Sequence, residues 1–384
     1  MRIGMVSTYP PIECGIATYT EYLVDALRLL DNEVYIVSQF GGEGEKVHPA
    51  FHANDPDLAE RIFQMMAQFT PDVVHIQHEY GLFGKPRGVN IIPLIYRFKL
   101  CGVPVVITFH TVYEDFSREE RIILEVLIRA ADSVIVHEEY QKEALLKRIG
   151  SFDNIRVIPH GSREIEPIPE AKKKIGLNED EKAILLCGYF RPTKGLDRIV
   201  SIFPRIAERV EKAVLLIAGK MRQQEYSEYR DEFFRLVNDS PAFERIKVLR
   251  GQFPQKTFDI ILSAADVVPL PYLKGSQSGI LSHCLALARP VVVSPEVRAL
   301  RELIIRAKCG LIANNDDEFV EHIVRILSDD DLRNKLSKNA RDYVKGTLSW
   351  KIVAKKTINV YHDVVSVPYG RAKYINLSRE DREG

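Results

Sequence analysis

Short apolar runs alternate with segments of helical periodicity along nearly the whole chain, and this alternation restricts the fold more than any other feature. Between the first two runs, apolar residues recur at helical spacing from Ile16 to Leu30. Strands that alternate with helices form parallel, doubly wound sheets, so an α/β fold is predicted. The predicted strands are residues 2–6, 33–38, 72–77, 103–108, 133–137 and 155–158, followed by 183–188, 213–218, 246–249, 266–270, 290–293 and 311–313.

The series of strands begins twice, which indicates two domains. With 384 residues, the chain exceeds what one hydrophobic core normally holds. A charged stretch that carries prolines, residues 164–181, separates the two series and is predicted to be a linker. We therefore expect one Rossmann-like domain at 1–163 and another at 182–349. An amphipathic segment follows from 350 to about 365, before a polar tail at 369–384 that is expected to be mobile.

The overall charge and the cysteines exclude several classes of protein. The chain carries 53 Lys and Arg residues against 53 Asp and Glu residues, which favours neither nucleic acid nor an anionic membrane as a partner. Five cysteines include no C-x-x-C pair, so neither a zinc site nor a disulfide framework is indicated. The first residues read as a strand instead of a signal peptide, and no apolar run is long enough to span a bilayer. These features predict a cytoplasmic protein.

One loop combines glycine with two cations where the second series begins. Gly188 ends an apolar strand, Arg191 and Lys194 follow, and a helix is predicted from Leu196 to about Val210. A strand, a glycine turn and a helix together aim backbone N–H groups and the positive end of a helix dipole at a phosphate. Arginine can hold a phosphate with two parallel hydrogen bonds, and lysine acts as a point charge. The alternative is an ordinary loop with two solvated cations.

A second helix start in the same half carries small polar residues. Ser276, Gln277, Ser278 and Gly279 follow the predicted strand at 266–270 and open a helix expected to run to about residue 288. Because the carboxyl ends of parallel strands lie at one edge of a sheet, this helix start and the cationic loop are expected on the same face. Two such anion sites together are a stronger signal than either one. A serine-capped helix without a ligand is the alternative.

Two loops of the first half carry single residues that suggest ligand binding. Gly15 opens the helix after the first strand, where a glycine lets the backbone approach a ligand closely. A tight turn is the alternative there. His110 ends the fourth strand, at the edge where ligands of parallel sheets bind. A histidine in that place is either a satisfied structural residue or a functional one, and we favour function.

Polar and aromatic residues crowd the loop after the third strand. His78, Glu79 and Tyr80 stand where a plain connection needs only turn-forming residues. His160 precedes the predicted linker and is expected at the hinge between the domains. Three consecutive aspartates at 329–331 precede a helical pattern, and we interpret them as acids that complement a helix dipole, not as a metal site.

Seven short motifs occur in a fixed order along the chain. They are Pro10-Pro11 with Gly15-Ile16, Asp72-Val73-Val74-His75, Thr108-Phe109-His110-Thr111, the loop from Gly188 through Lys194-Gly195, Ala265-Asp266-Val267, Pro290-Val291-Val292-Val293, and Ser349-Trp350 with Tyr361. In this order and spacing the chain resembles the retaining glycosyltransferases of the GT-B fold, within the large family four group of sucrose synthase-like and bacterial mannosyltransferase-like enzymes. The resemblance implies two Rossmann-like domains that face a central cleft. It also implies that the last helix crosses back, so that the first domain comprises 1–163 and about 350–384.

The resemblance further implies an activity and places its residues. A hexosyl unit, most often mannose or glucose, would move from a GDP- or UDP-linked donor to a sugar or glycolipid acceptor with retention of configuration and without a metal or other cofactor. Lys194 matches the family lysine that binds the donor diphosphate. The family's arginine directly follows the glycine, where this chain has Tyr189, and Arg191 is the expected substitute. His110 matches histidines that contact the transferred sugar, and Gly15 lies in the glycine loop near the diphosphate. The residues expected on the acceptor or sugar side are His78, Glu79, Tyr80 and His160.

One departure from the family pattern concerns two glutamates. The family carries a pair of them eight positions apart, and the corresponding residues here are Gly275 and His283. The first glutamate normally contacts the donor sugar and the second the nucleotide ribose. Ser276, Gln277 and the amides of Ser278 and Gly279 are expected to bind phosphate and sugar instead. His283 either faces the ribose or is an ordinary helix residue.

These residues predict a metal-independent hexosyltransferase and leave two other functions open. One is a phosphorylase of the same fold, or a transferase that uses a sugar phosphate as donor. The other is a sugar- or nucleotide-binding protein without activity. A dinucleotide dehydrogenase is disfavoured because neither first βα turn shows G-x-G-x-x-G. The expected partners are a nucleotide-sugar and a carbohydrate or glycolipid, with peripheral association at the inner membrane face left open.

Overall fold

The computed structural model describes residues 1–85, 87–221, 227–251 and 253–365. The chain divides into two compact units. The first unit comprises Met1–Gly161 and the residues from Trp350 onward, and the second unit is Ser162–Ser349. The predicted polar tail at 369–384 lies outside the described residues.

A parallel sheet forms the centre of the first unit. In its described part, seven strands pair in the order β3-β2-β1-β4-β5-β6-β7. The apolar runs form the central strands because a parallel sheet covered on both faces buries both sides of each strand. The strands are β1 (Arg2–Ser7), β2 (Glu33–Gln39), β3 (Val47–Phe51), β4 (Val73–His78), β5 (Val105–Phe109), β6 (Ser133–Val136) and β7 (Ile155–Val157).

Amphipathic helices connect these strands. Ser117 accepts a hydrogen bond from the Glu120 backbone N–H at 3.2 Å, and the Glu120 carboxylate accepts one from the Ser117 N–H at 2.7 Å. This capping box fixes the start of one helix. The helices that precede the second unit are α1 (Gly15–Arg28), α2 (Leu58–Ala67), α3 (Ile92–Leu100), α4 (Arg118–Ala130) and α5 (Glu139–Arg148).

The second unit repeats the same arrangement. Its described strands form two parallel groups, β10-β9-β8 and β11-β12-β13. The Leu185 backbone N–H donates to the Val267 carbonyl at 3.0 Å, which joins β8 to the residue before β11. The continuous order is therefore 10-9-8-11-12-13. The strands are β8 (Lys182–Phe190), β9 (Ala213–Met221), β10 (Ile246–Arg250), β11 (Val268–Leu270), β12 (Val291–Val293) and β13 (Gly310–Ile312).

Helices again link the strands of the second unit. They are α6 (Ala171–Lys174), α7 (Leu196–Arg209), α8 (Ser227–Asn238), α9 (Gln255–Ser263), α10 (Gly279–Ala286), α11 (Arg298–Ala307), α12 (Asp316–Ser328) and α13 (Asp330–Tyr343). Asp329 precedes α13 and accepts a hydrogen bond from the Leu332 N–H at 2.9 Å, so this aspartate caps a helix.

The last helix, α14 (Trp350–Val365), returns to the first unit, as predicted. Its buried residues Val353, Ala354 and Val360 join the core formed by β1 and α1. The Tyr361 hydroxyl lies 2.6 Å from Nδ1 of His75 on β4. Residues from both ends of the chain therefore complete one core.

The strand order identifies the point in each sheet at which a ligand site is expected. In open parallel sheets, ligands bind beyond the carboxyl ends of the strands where the strand order reverses. That point lies between β1 and β4 in the first unit and between β8 and β11 in the second. Two features differ from the prediction. The stretch predicted as a linker belongs to the second unit, where Lys172 pairs with Asp266 at 2.9 Å. Strand β3 was not predicted.

Candidate functional site

The carboxyl end of β8 lies against the start of α10 in the second unit. Gly188 has φ +105°, and a Cβ there would lie 3.2 Å from side-chain atoms of Ile280. Gly188 was predicted to begin a loop, but β8 continues to Phe190 because Gly188 remains paired with Gly219 on β9. The glycine therefore permits close contact between a strand end and a helix start.

The cationic loop is fixed to the segment that follows β11. The Thr193 carbonyl accepts hydrogen bonds from the backbone N–H groups of Leu273 at 3.0 Å and Lys274 at 3.3 Å. Gly195 has φ +57°, and a Cβ there would lie 2.4 Å from the Pro271 carbonyl oxygen. The loop after β8 and the loop after β11 are thus joined by backbone hydrogen bonds.

This joined pair of loops presents donors that lack acceptors. The Nε atom of Arg191 and the Nε2 atom of Gln277 are buried without a hydrogen-bond partner. Burial lowers the pKa of Lys194 to about 7, and the charge of Arg191 adds to this effect. Buried polar groups are normally satisfied, so the two unpaired donors and the desolvated ammonium, carried by the two joined loops, indicate a place for an anion.

The start of α10 adds a positive helix end to the same segment. Ser278 caps the helix by accepting a hydrogen bond from the Leu281 N–H at 3.2 Å. Gly279 is exposed, and a Cβ at this position would meet no described heavy atom within 4 Å outside its immediate neighbours and its own helix. Ser276 is buried beside it. The predicted residues of the two loops therefore lie in connected segments, and the described residues leave space for a ligand over Gly279.

The two positions of the missing glutamates differ in their surroundings. His283 contacts Arg163, with Nδ1 3.4 Å from Nη2, and its ring lies 5.4 Å from that of Phe258. Arg163 also makes a bidentate ion pair with Asp259 at 2.8 and 2.6 Å. At Gly275 a Cβ would meet its nearest atoms at 3.8 Å, so the position has room for a side chain.

In the first unit, Gly15 opens α1 beside the reversal point of the sheet. It is exposed, and a Cβ there would meet no described heavy atom within 4 Å. Its φ is not among the positive values of the chain. Neither packing nor backbone conformation within the described residues requires a glycine at this position, and the space beside it stays a candidate place for a ligand.

His110 lies in a buried cluster of rings at the end of β5. Its Nε2 is 2.9 Å from Oε1 of Gln77, and its Nδ1 is 3.4 Å from Nε2 of His137. The Tyr19 ring packs edge-on against it at 4.7 Å. Burial, followed by the neighbouring His137, holds the pKa of His110 well below its usual range. His110 is therefore a neutral imidazole near pH 7 and can act as a hydrogen-bonding group, not as a cation.

His160 belongs to the same cluster. Its Nδ1 lies 2.8 Å from the Gly161 carbonyl oxygen, and its ring lies 5.1 Å from Tyr19 and 5.9 Å from Trp350. It was predicted at a hinge. It lies next to Gly161, where the first segment of the first unit ends, and its ring packs in the aromatic core of that unit against Trp350 at the start of α14.

The loop after β4 combines a buried carboxylate with aromatic rings. Glu79 accepts hydrogen bonds from the Thr111 hydroxyl at 2.7 Å and from the Tyr80 N–H at 3.0 Å, while burial raises the pKa of its carboxyl. The hydroxyl of Tyr80 is buried without a partner. The ring of His78 stacks on that of Phe83. The backbone carbonyl of His78 accepts a hydrogen bond from the His110 backbone N–H at 3.1 Å. The loop is therefore connected directly to His110.

Several residues of these clusters were not predicted from the sequence. They are Tyr19, Gln77, Thr111, His137 and Tyr272. His137 could have been found, since it ends the strand next to that of His110. Tyr272 gave a weaker signal, an aromatic residue directly after a Pro-Leu-Pro strand end. Among the described residues, no group of His, Cys, Asp and Glu side chains is arranged to hold a metal ion.

Two family models match almost the whole of the described chain. The model of Glycosyltransferase Family 4 matches residues 14–162, and that of Glycosyl transferases group 1 matches residues 167–343. The chain belongs to the family four glycosyltransferases. The GT-B fold and the assignment as a transferase, both expected from the sequence, are confirmed.

Curated relatives cover nearly the full length of this glycosyltransferase. An uncharacterised glycosyltransferase of Methanocaldococcus jannaschii is 26% identical over 94% of this chain and 98% of its own. An alpha-monoglucosyldiacylglycerol synthase of Acholeplasma laidlawii is 22% identical over 95% and 98%. A phosphatidyl-myo-inositol mannosyltransferase of Mycolicibacterium smegmatis is 24% identical over 95% and 94%. The relatives thus include enzymes named for glucosyl and mannosyl transfer to lipids.

Solved structures share the fold of this glycosyltransferase. Sucrose-phosphate synthase from Thermosynechococcus elongatus superposes with a TM-score of 0.77 at 19% identity, covering 95% of this chain and 99% of its own. The Anabaena protein HepE in complex with UDP-glucose gives a TM-score of 0.73 at 15% identity, with coverages of 94% and 100%.

Within the described residues, none of the helices combines the length and the apolar character that crossing a bilayer would require.

Proposed function

We propose that this glycosyltransferase moves a glucosyl or mannosyl unit from a nucleoside-diphosphate sugar to a sugar or glycolipid acceptor, with retention of anomeric configuration and without a metal ion. The observation that supports the donor half of this proposal is a pair of buried donors without partners, Nε of Arg191 beside Lys194 and Nε2 of Gln277 in the segment before α10. A diphosphate supplies the acceptor oxygens and the negative charge that these groups lack.

The cationic loop also suits the chemistry of the step. As the glycosidic bond to the donor breaks, negative charge grows on the departing diphosphate. Fixed donors aimed at developing charge are the strongest single contribution to catalysis in many enzymes, and removal of one costs about 10²–10³ in turnover. We assign the stabilisation of this charge to Arg191, Lys194 and the N–H groups at Gly279. In other transferases a divalent cation plays this role.

The first unit supplies the groups proposed for the acceptor. The Glu79 carboxylate, raised in pKa by burial, can accept a hydrogen bond from a sugar hydroxyl, and the unpaired Tyr80 hydroxyl can donate one. The neutral His110 is assigned to the transferred sugar. No side chain is assigned as a covalent nucleophile. We therefore favour a front-face route, in which the leaving phosphate helps to deprotonate the acceptor hydroxyl.

Two kinds of relative support a lipid-linked acceptor and a UDP-linked donor. Two of the curated relatives are named for transfer of glucose or mannose to lipids. The HepE structures contain UDP and UDP-glucose. The Lys194 loop and the α10 start are the parts of this chain that we assign to such a donor.

Calorimetry against UDP, GDP, ADP and their glucose and mannose conjugates tests the donor site. We expect one nucleotide to bind clearly in the presence of EDTA. Arg191→Ala and Lys194→Ala should each weaken that binding at least tenfold, because each removes a cation from a desolvated site. Lys338→Ala is the matched control, since Lys338 is exposed and pairs only with Asp342 among the described residues.

A turnover assay separates the proposed reaction from its rivals. With the nucleotide-sugar that binds and a diacylglycerol or phosphoinositide acceptor in mixed micelles, proton NMR of the product should show the anomeric configuration of the donor. Phosphate-dependent turnover without nucleotide binding would instead indicate a phosphorylase. Nucleotide binding without transfer to either acceptor would indicate a binding protein, an interpretation to which the absence of carboxylates at Gly275 and His283 contributes.

A further inference from the structure

Tyr272 is a buried aromatic residue shortly after β11, and hydrogen bonds hold both its backbone carbonyl and its phenol oxygen. Only 1% of its surface is exposed. Its carbonyl accepts a hydrogen bond from the Ser294 hydroxyl at 2.5 Å, and its phenol oxygen lies 3.4 Å from the Ser278 hydroxyl. Ser278 in turn caps α10. The orientation of the ring is therefore fixed by the element that forms the helix start of the site.

The ammonium group of Lys194 lies over this ring. Its Nζ is 3.5 Å from the ring centroid of Tyr272, well inside the range of about 6 Å over which a cation is attracted to an aromatic face. Among the described residues, no carboxylate forms an ion pair with Lys194. Arg191 is its charged neighbour and repels it. The aromatic ring therefore favours a charged Lys194 before a donor binds, together with Cys187 on β8, which acts in the same direction.

Backbone contacts fix the position of the Tyr272 ring relative to the Lys194 ammonium group. Thr193, next to Lys194, accepts two backbone hydrogen bonds from Leu273 and Lys274, the residues after Tyr272. The close approach of Gly195 to the Pro271 carbonyl fixes the other side of the contact. The lysine and the tyrosine lie on two loops that cannot shift independently.

We propose that Tyr272 is a positioning residue whose ring holds the Lys194 ammonium in its charged form, oriented for the donor diphosphate. This inference rests on the proposed function, because it takes the diphosphate as the ligand of Lys194. The ring, and not the hydroxyl, performs the task, so phenylalanine substitutes for tyrosine and an aliphatic residue does not.

Donor binding is coupled to a proton at this lysine. The groups that face Lys194 are Arg191 on its own loop, Cys187 on β8 and the Tyr272 ring. Desolvation and Arg191 lower the lysine pKa to about 7 in the protein without donor, and the diphosphate raises it again. Affinity is therefore greatest below pH 7 and falls as the pH rises above it, since a growing fraction of the protein must then take up a proton to bind.

The test compares Tyr272→Phe and Tyr272→Leu by calorimetry with UDP-glucose and with GDP-mannose between pH 6 and 9. These donors are suitable because a diphosphate diester has no terminal phosphate group that titrates near pH 6. We expect Tyr272→Phe to retain affinity within about twofold. Tyr272→Leu should lose about tenfold, the effect of one desolvated cation–π contact, and its affinity should begin to fall at a lower pH.

A double-mutant cycle distinguishes this role from a structural one. In a Lys194→Met background, Tyr272→Leu should weaken donor binding no further, because the cation that the ring holds is gone. Thermal unfolding of each variant checks folding. Equal affinity and equal pH dependence in the Phe and Leu variants would overturn the inference, as would a Tyr272→Leu penalty that persists without Lys194. If Lys194→Met itself binds donor as tightly as the wild type, the proposed donor site fails instead.

Discussion

Mild acid should destabilise the first unit strongly, because several of its histidines are buried in their neutral form. Burial lowers the pKa of His75 to about 3, that of His137 to about 3 and that of His78 to about 4. In the unfolded chain each returns to an ordinary value near 6.5. Between pH 6.5 and about 4 the unfolded state therefore binds more protons than the folded state, and stability falls as the pH falls.

The size of this effect follows from the difference in bound protons. At pH 5.5 an unfolded histidine with a pKa near 6.5 is mostly protonated, whereas the folded groups are not. Each such residue then costs about 1.4 kcal/mol relative to neutral pH, so these three cost about 4 kcal/mol, and the buried, neutral His110 adds to this loss. A typical domain has a free energy of unfolding of about 5–15 kcal/mol, so the loss is a large part of the total.

The single tryptophan provides the assay. Trp350 packs in the first unit with its ring 5.1 Å from that of Tyr19. Its fluorescence during urea denaturation at pH 7.5 and 5.5 should report a decrease of at least about 4 kcal/mol in the free energy of unfolding. His137→Asn should recover about 1.4 kcal/mol of this decrease, because asparagine can still donate to the Ile158 carbonyl but does not titrate. His52→Asn, at an exposed position, should recover none.

A free energy of unfolding that stays constant from pH 7.5 to 5.5 would refute this reasoning. So would a decrease of equal size in the wild type and in His137→Asn, since the loss would then come from other groups. The second unit contains only two of the ten histidines, His283 and His322, and both are partly exposed. Its unfolding, followed by circular dichroism, should depend less on pH in this range.

Two further substitutions test the geometry of the second unit. Gly195→Ala should destabilise by about 1–3 kcal/mol and weaken donor binding, because its left-handed backbone and a carbonyl 2.4 Å away both oppose a Cβ. Gly176→Ala, also left-handed but with no described atom within 4 Å, should show only the smaller backbone cost in thermal unfolding, and equal losses would contradict the steric argument. Arg163→Met should cost about 3 kcal/mol in urea denaturation, since it leaves the buried Asp259 carboxylate without its ion-pair partner, and a change below 1 kcal/mol would argue against that ion pair.

The sheets could be predicted because burial on both faces leaves a direct trace in the sequence. Each predicted apolar run overlaps a strand of the structure. Strand β3 gave no such trace, since it pairs only with β2 at the edge and includes His48 and Pro49, which an edge strand tolerates. The extension of β8 to Phe190 was hidden by Gly188, because a glycine ordinarily suggests the end of a strand.

The candidate site was only partly predictable, for a different reason. Glycines and cations at the ends of strands can be identified locally, which is how Gly15, Arg191 and Lys194 were selected. The partners that determine their chemistry come from distant segments. The ring of Tyr272 under Lys194 and the packing of Trp350 on His160 depend on tertiary contacts between residues far apart in the chain, for which periodicity and composition give no signal.

The return of α14 to the first unit determines the order in which the two units can be completed during synthesis. The second unit is a continuous segment and has all its residues once Ser349 has left the ribosome. The first unit begins earlier but must wait, since His75 meets Tyr361 only after another 286 positions have been translated. Until then the apolar side chains that α14 covers have no partner helix. The part of the chain made first is therefore the part finished last, and a nascent chain that has emerged from the ribosome only as far as Ser349 contains a complete second unit and an incomplete first one.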